Sequence, residues 1–219
     1  MSNTPSRNPS DDGTILGALR QALRKNTQGI DDMLPARVLS FNRTTNRVRV
    51  QPQIKIVTTD GSVIGRAPIA SVPVMNIGGG GCILSFNLQA GDLGWIKAND
   101  RDISLFLQRY VEAEPNTARL HSFADAVFIP DVMTGWTIPG EESGRAVLQT
   151  LDGTTRISIG TGRIRLVSGS CEIEITPSGI TSSGTWAHTG TFSANGVGLT
   201  THHHGGVTTG GGNTGGPTG

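Results

Sequence analysis

The chain has 219 residues, with 18 Lys and Arg set against 17 Asp and Glu, and 31 of its residues are glycine. That glycine share is roughly twice the usual value of about 7%, it lacks the three-residue period of collagen, and the balanced charge supplies no global field for nucleic acid or an anionic membrane. Hydrophobic residues at 35% and aromatics at 5% argue against one large core running through the whole chain.

No apolar run approaches the roughly 20 residues of a transmembrane helix. Met1–Asp12 is polar and has no apolar signal-peptide centre, so synthesis in a cytoplasm is expected. Cys82 and Cys171 are far apart and sit in no Cys-x-x-Cys or Cys/His pattern, and they read as two small apolar residues.

In chain order, residues 1–32 form a polar tail and a helix. The spacing predicts a helix over Thr14–Thr27, with Asp11 and Asp12 available as caps and Gly29 as the stop. Ile15, Leu16, Leu19 and Leu23 fall on one stripe, away from Arg20, Arg24 and Lys25. A helix this short is marginal alone, so its stripe is expected to dock on something.

Residues 33–138 read as a small all-β domain. Arg37–Phe41, the alternating run Arg47–Val57, Val72–Met75, Cys82–Phe86 and Gly94–Lys97 are strand-like, with turns at Asn42–Asn46 and Asp60-Gly61. Five short strands in such a length fit an oligonucleotide/oligosaccharide-binding (OB) barrel. Asp102–Val111 is open between helix and strand. Over Gln51–Ile138 the domain carries six bases against eight acids, which is not the basic groove of a nucleic-acid binder.

Residues 139–200 have another texture. Arg156–Ile159, Arg163–Leu166 and Cys171–Ile175 alternate strictly and are punctuated by glycine. Each offers one narrow apolar row that only stacking can bury. An intertwined homotrimer, each chain giving one side of a triangular prism, would cover the rows. The last charged residue is Glu174, and the following 45 residues contain no Asp, Glu, Lys or Arg. Such a segment is expected to pack against copies of itself or a partner.

Several motifs invite chemistry. Gly78–Gly81 lacks the Lys-Ser/Thr and helix of a phosphate loop, and reads as a turn. His121, Ser122 and Asp125 lie close in sequence, but no Gly-x-Ser-x-Gly elbow accompanies them, and local hydrogen bonding is the expectation. Glu141-Glu142 is the only Glu pair, in a loop after Pro139-Gly140. His188 reads as a facing residue of the stalk. The remaining cluster is Thr201-His202-His203-His204-Gly205-Gly206 in residues 201–219. In an extended chain His202 and His204 share a face and His203 looks away. Around a threefold axis three chains would supply six imidazole nitrogens, an octahedral set that suits Fe(II) or Ni(II) better than zinc. The alternative is a His run without a function.

Taken together, Asp32–Val38, Val50-Gln51-Pro52, Val72–Met75 with the four glycines, Ala90–Gly94 and His121–Pro130 resemble the N-terminal OB domain of central spike proteins of contractile-tailed phages. His202-x-His204-Gly205-Gly206-Val207 with the Gly-rich end resembles the apex of the same spikes. The resemblance implies an all-β homotrimer: an OB collar, a triple-stranded β-helix shaft and a metal-bound tip. It implies one structural iron (Fe2+) per trimer on His202 and His204, with no role for His203. It also implies a place at the virion's tail baseplate tip, baseplate hub and tail tube proteins as partners, and transient passage through the host outer membrane. Neither an enzyme nor a nucleic-acid or small-molecule binder is expected. A trimeric receptor-binding tail fibre tip is the alternative function, though fibre tips would carry more charge and aromatics near their end than Trp186 and Phe192.

Overall fold

The computed structural model describes residues 13–58, 61–198 and 210. The chain divides into two compact units, residues 1–135 and 136–219.

The first unit opens with helix α1 (Ile15–Gln28). Its start is capped by the Thr14 hydroxyl, which accepts a hydrogen bond from the Gly17 amide at 3.0 Å. The cap expected from Asp11 or Asp12 is thus supplied by the residue immediately before the first turn, where a side-chain oxygen can reach the free amides. Gly29 ends the helix, its amide bonding back to Asn26 and Thr27.

The strands that follow are β1 (Met33–Asn42), β2 (Arg47–Pro52), β3 (Ile56–Val57), β4 (Val63–Ile64), β5 (Ile69–Pro73), β6 (Ile77–Gly79), β7 (Cys82–Leu84), β8 (Leu93–Arg101) and β9 (Leu120–Pro130). Helix α2 (Ser104–Arg109) fills the stretch left open by the sequence. The run expected to continue to Val57 breaks after Pro52, whose ring leaves no amide for a ladder.

Five of these strands form one sheet in the order β5-β2-β1-β8-β9. The two ends of the sheet meet in a parallel bridge, Val74 to Phe128, with the Met75 amide donating to the Phe128 carbonyl at 2.8 Å. The sheet is therefore curled into a nearly closed barrel. Bulges between Val38 and Ser40, Val48 and Val50, and Ala98 and Asn99 supply the local bends that this curvature needs. Alternate residues point inward: Ala36 and Val38, Val48 and Val50, Ile96 and Ala98, with Val72 and Phe128. Phe128 lies against Gly94, where an added Cβ would come within 2.4 Å of the ring. Gly94→Ala is expected to cost about 1–3 kcal/mol through overpacking, read as a lower unfolding temperature of the first unit, while Gly91→Asn, a turn glycine with open space and φ +104°, should cost less.

The second unit is a meander of five antiparallel strands in sequence order: β10 (Ala146–Gln149), β11 (Thr155–Gly160), β12 (Arg163–Ser168), β13 (Cys171–Thr176) and β14 (Gly179–Ser183). A small hairpin, β15 (Ser193–Ala194) and β16 (Val197–Gly198), turns at Asn195-Gly196, both with positive φ, as a two-residue type I′ turn requires.

Candidate functional site

The register of the second sheet sorts its side chains into two contrasting faces. One cross-strand row runs Leu148, Ile157, Leu166, Ile173, and the next runs Ala146, Ile159, Ile164, Ile175, Ile180. Because the period of a strand is two, every member lies on the same face. Leu148, Ile157, Ile159, Ile164, Leu166, Ile175 and Ile180 are all between 38% and 69% exposed. Trp186 stands at one end of this face, its indole N–H donating to the Ser182 hydroxyl at 2.7 Å. With Leu148, Ile157, Leu166, Cys171 and Ile173 it bounds a groove of about 670 Å³. Two adjacent aliphatic rows across five strands make a continuous patch, and patches of this kind mark association surfaces.

The opposite face is polar and closed. Arg156, Ser158, Arg163, Arg165, Glu172 and Glu174 alternate with the apolar rows. The Gly140–Glu142 turn folds over them and delivers the Glu142 carboxylate, 1% exposed, into a nest of guanidiniums. Arg156 reaches it at 2.9 Å, Arg165 at 3.0 Å and Arg145 at 3.4 Å. Burial opposes ionisation of Glu142, yet the Ser158 hydroxyl and the Arg156 and Arg145 side chains overcome it and hold the carboxyl at about 2. Arg165 is also gripped by both oxygens of Glu172, at 2.6 and 2.5 Å. That pairing raises Arg165 and lowers Glu172 from their ordinary ranges, against the burial of each.

In the first unit, Arg119 bridges Asp102 at 3.0 Å and Asp125 at 2.9 Å and ties the α2 connection to β9. Hydrogen bonds from Ser104, then Thr117, hold Asp102 well below the usual carboxylate range against its burial, and the charge of Arg119 adds to them.

The motifs singled out in the sequence fall into place around these elements. His121 faces the Asp100 carboxylate at 3.7 Å, the Ser122 hydroxyl accepts from the Ala124 amide at 3.2 Å, and Asp125 is taken by Arg119, so the three are not assembled into a relay. Gly78–Gly81 forms the β6–β7 hairpin end, with Gly80 and Gly81 at positive φ. His188 has its Nε2 at 3.2 Å from the Thr191 carbonyl and packs edge-on against Phe192. Cys82 and Cys171 are free. His202 and His204 lie outside the described residues, and among the described residues no three His, Cys, Asp or Glu side chains are placed to hold a metal.

What sequence reasoning missed is the Glu142 nest. Arg145, Arg156 and Arg165 belong to three different stretches of sequence, and the only visible signal was a Glu pair preceding Arg-bearing alternating strands.

Residues 34–131 match the family model of the phage protein Gp138 N-terminal domain. The match runs from the second residue of β1 to just past the end of β9, and so takes in all of the barrel-like sheet but Met33. It supports a phage structural protein, carried in the virion. No curated protein matches the sequence.

Proposed function

We propose that this chain is the central spike of a contractile phage tail, a homotrimer at the baseplate tip that is driven through the host outer membrane. The observation that carries the reading is the bare two-row aliphatic face of residues 146–183, joined in one chain to a phage-protein domain. Three copies turning those faces toward a common axis form a closed prism with the salt-bridged faces outward. The shaft is then a triple-stranded β-helix whose interior is dry and whose exterior is polar, a stiff body with little to stick to lipid. The barrel-like sheet of the first unit forms the collar. Its strand order, with the parallel closure of β5 onto β9, is that of a five-stranded Greek-key barrel of OB type.

At the tip, His202 and His204 of three chains hold one iron. The donor set is six neutral imidazoles, which suits a divalent transition ion with six positions, and when bound the ion ties the three chain ends together. Gly205-Gly206 lets each chain turn away after the ligands. The work is mechanical, and no reaction is assigned. The partners are the hub and tube proteins of the tail and, in passing, the host membrane.

The test is made on purified phage particles and on the purified protein. Antibody to the chain should label the tail tip, and elemental analysis should give one iron per three chains. A His202→Ala/His204→Ala protein should lose the metal and remain trimeric, whereas His203→Ala should keep both. Acid should release the ion as the imidazoles protonate near their ordinary value of about 6.5. Metal retained by the double variant, or found at one per chain, would refute the axial site. Label on peripheral fibres, or tight binding of the soluble protein to host cells, would favour a receptor-binding tip.

A further inference from the structure

Two short hairpins stand outside the barrel-like sheet of the first unit. Among the described residues each pairs only within itself, β3 with β4 and β6 with β7. The register puts Ile56 and Ile64 on one face of the first hairpin, and Val57 and Val63 on the other. All four are between 42% and 61% exposed. In the second, Ile77 and Leu84 share one face and Ile83 holds the other, and the three are between 39% and 69% exposed. This second hairpin is an arm that leaves the barrel at Met75, whose amide is held by Phe128, and returns at Leu88 in the core. The stretch Ala67–Gly91 around it contains no charged residue. A lone two-stranded hairpin is marginal in water, and strands that are apolar on both faces belong where both are covered.

We infer that the β6–β7 arm of each copy seats on the β3–β4 hairpin of the next copy, closing a ring of three first units. The inference rests on the trimeric spike reading and says how its collar is held. Two observations choose the occupant. A head-to-tail ring needs two different patches on each chain, one to give and one to receive, whereas a twofold contact or a single foreign partner needs one. The first unit offers two, alike in chemistry and drawn from separate stretches of sequence. Area is the second observation. With Ile54, Met75 and Phe86 beside them, the exposed apolar residues of arm and hairpin amount to about 1,000 Å² per contact when fully covered, short of the roughly 1,200–2,000 Å² typical of a stable complex between free partners. A copy already tethered by the shaft needs less, because its effective concentration is high. The ring therefore orders the collar of a trimer that the shaft creates, and does not assemble chains whose shaft has failed.

The experiment uses the full-length chain carrying Cys171→Ala, which leaves Cys82 at the arm's end as its one thiol. Val63→Cys then adds a thiol to the β3–β4 hairpin, and Val57→Cys, at its cross-strand partner, repeats the test. A short bismaleimide should convert at least one of these two proteins into covalent trimers on a denaturing gel, while the chain with Cys82 alone stays unlinked. Adding Ile77→Asp/Ile83→Asp should cut the linkage at least tenfold and leave the mass by light scattering at three chains. Linkage unchanged by those two substitutions would show that the apolar arm is not what seats, and would overturn the ring. Covalent dimers that never proceed to trimers, or linkage of the chain with Cys82 alone, would mean that like meets like and would overturn it too. A trimer that stays unlinked at both positions would overturn this inference alone and leave the hairpins to another protein of the tail. A wild-type chain that is not a trimer would overturn the spike reading, and this inference with it.

Discussion

Ile164→Asp is expected to abolish assembly and leave a soluble monomer. Ile164 sits in mid-sheet, paired with Ile159 on one side and Ile175 on the other. In a prism closed by three copies, the variant brings three carboxylates toward one axis among aliphatic side chains, with no cation among the described residues of that face to receive them. Moving an unpaired carboxylate out of water costs at least several kcal/mol per chain. The assembly would have to lose that much three times over. Light scattering of the wild type should give three times the chain mass at micromolar concentration, and the variant one chain mass. Thr181→Lys is the control, because it adds a charge to the opposite face, where Thr181 pairs with Glu174, and should leave the trimer intact. A wild type that is monomeric, or a dimer closing as a simple sandwich, would sink the prism. A trimeric Ile164→Asp would show that the apolar face is turned outward.

The rows that make this test possible are legible in the amino-acid sequence. Ile157/Ile159, Ile164/Leu166 and Cys171/Ile173/Ile175 alternate with charged or small polar residues over segments bounded by glycine, and alternation is the signature that a strand cannot hide. The flanking strands β10 and β14 are not legible in the same way. Ala146–Gln149 is short, and Gly179–Ser183 is mostly small and polar, so their strand character comes from pairing with β11 and β13 rather than from their own composition. Helix α2 escapes for a related reason. Its six residues give less than two turns, too few for a helical period to register. Leu120–Pro130 stands out in the sequence for His121, Ser122 and Asp125 rather than as a strand. Yet it is β9, and its Phe123, Ala126 and Phe128 belong to the core. A strand that bulges between Ala98 and Asn99 of its partner breaks the simple alternation that sequence reading relies on. The candidate surface is therefore half legible. Its apolar face follows from local periodicity, while its salt-bridged face depends on contacts between stretches that only the folded sheet brings together.

Removing the Glu142 carboxylate is expected to unfold the second unit's polar face at neutral pH. In Glu142→Gln the guanidiniums of Arg145, Arg156 and Arg165 lose their shared counter-charge, and Arg156, 7% exposed, is buried too deeply for water to replace it. Breaking a buried pair by deleting one partner costs about 3–5 kcal/mol. Glu141, which accepts from Arg156 at 2.8 Å, is half exposed and compensates only in part. The pH dependence follows from the position of Glu142. Its carboxyl titrates at about 2 in the folded chain against an ordinary 4.5, so between those values the unfolded state binds the proton and the folded state does not. Folding stability therefore falls as pH is lowered through this window, by on the order of 3 kcal/mol from this one group. The stability gap between wild type and Glu142→Gln should be widest above pH 5, narrow as the pH falls below 4.5, and be nearly gone by pH 2. Denaturant unfolding of the two proteins across that range measures it. A gap that does not change with pH would mean that Glu142 acts through shape and hydrogen bonding alone. No gap at pH 7 would mean that the three arginines find other partners, and the nest would not be what holds the polar face of the second unit's sheet in place.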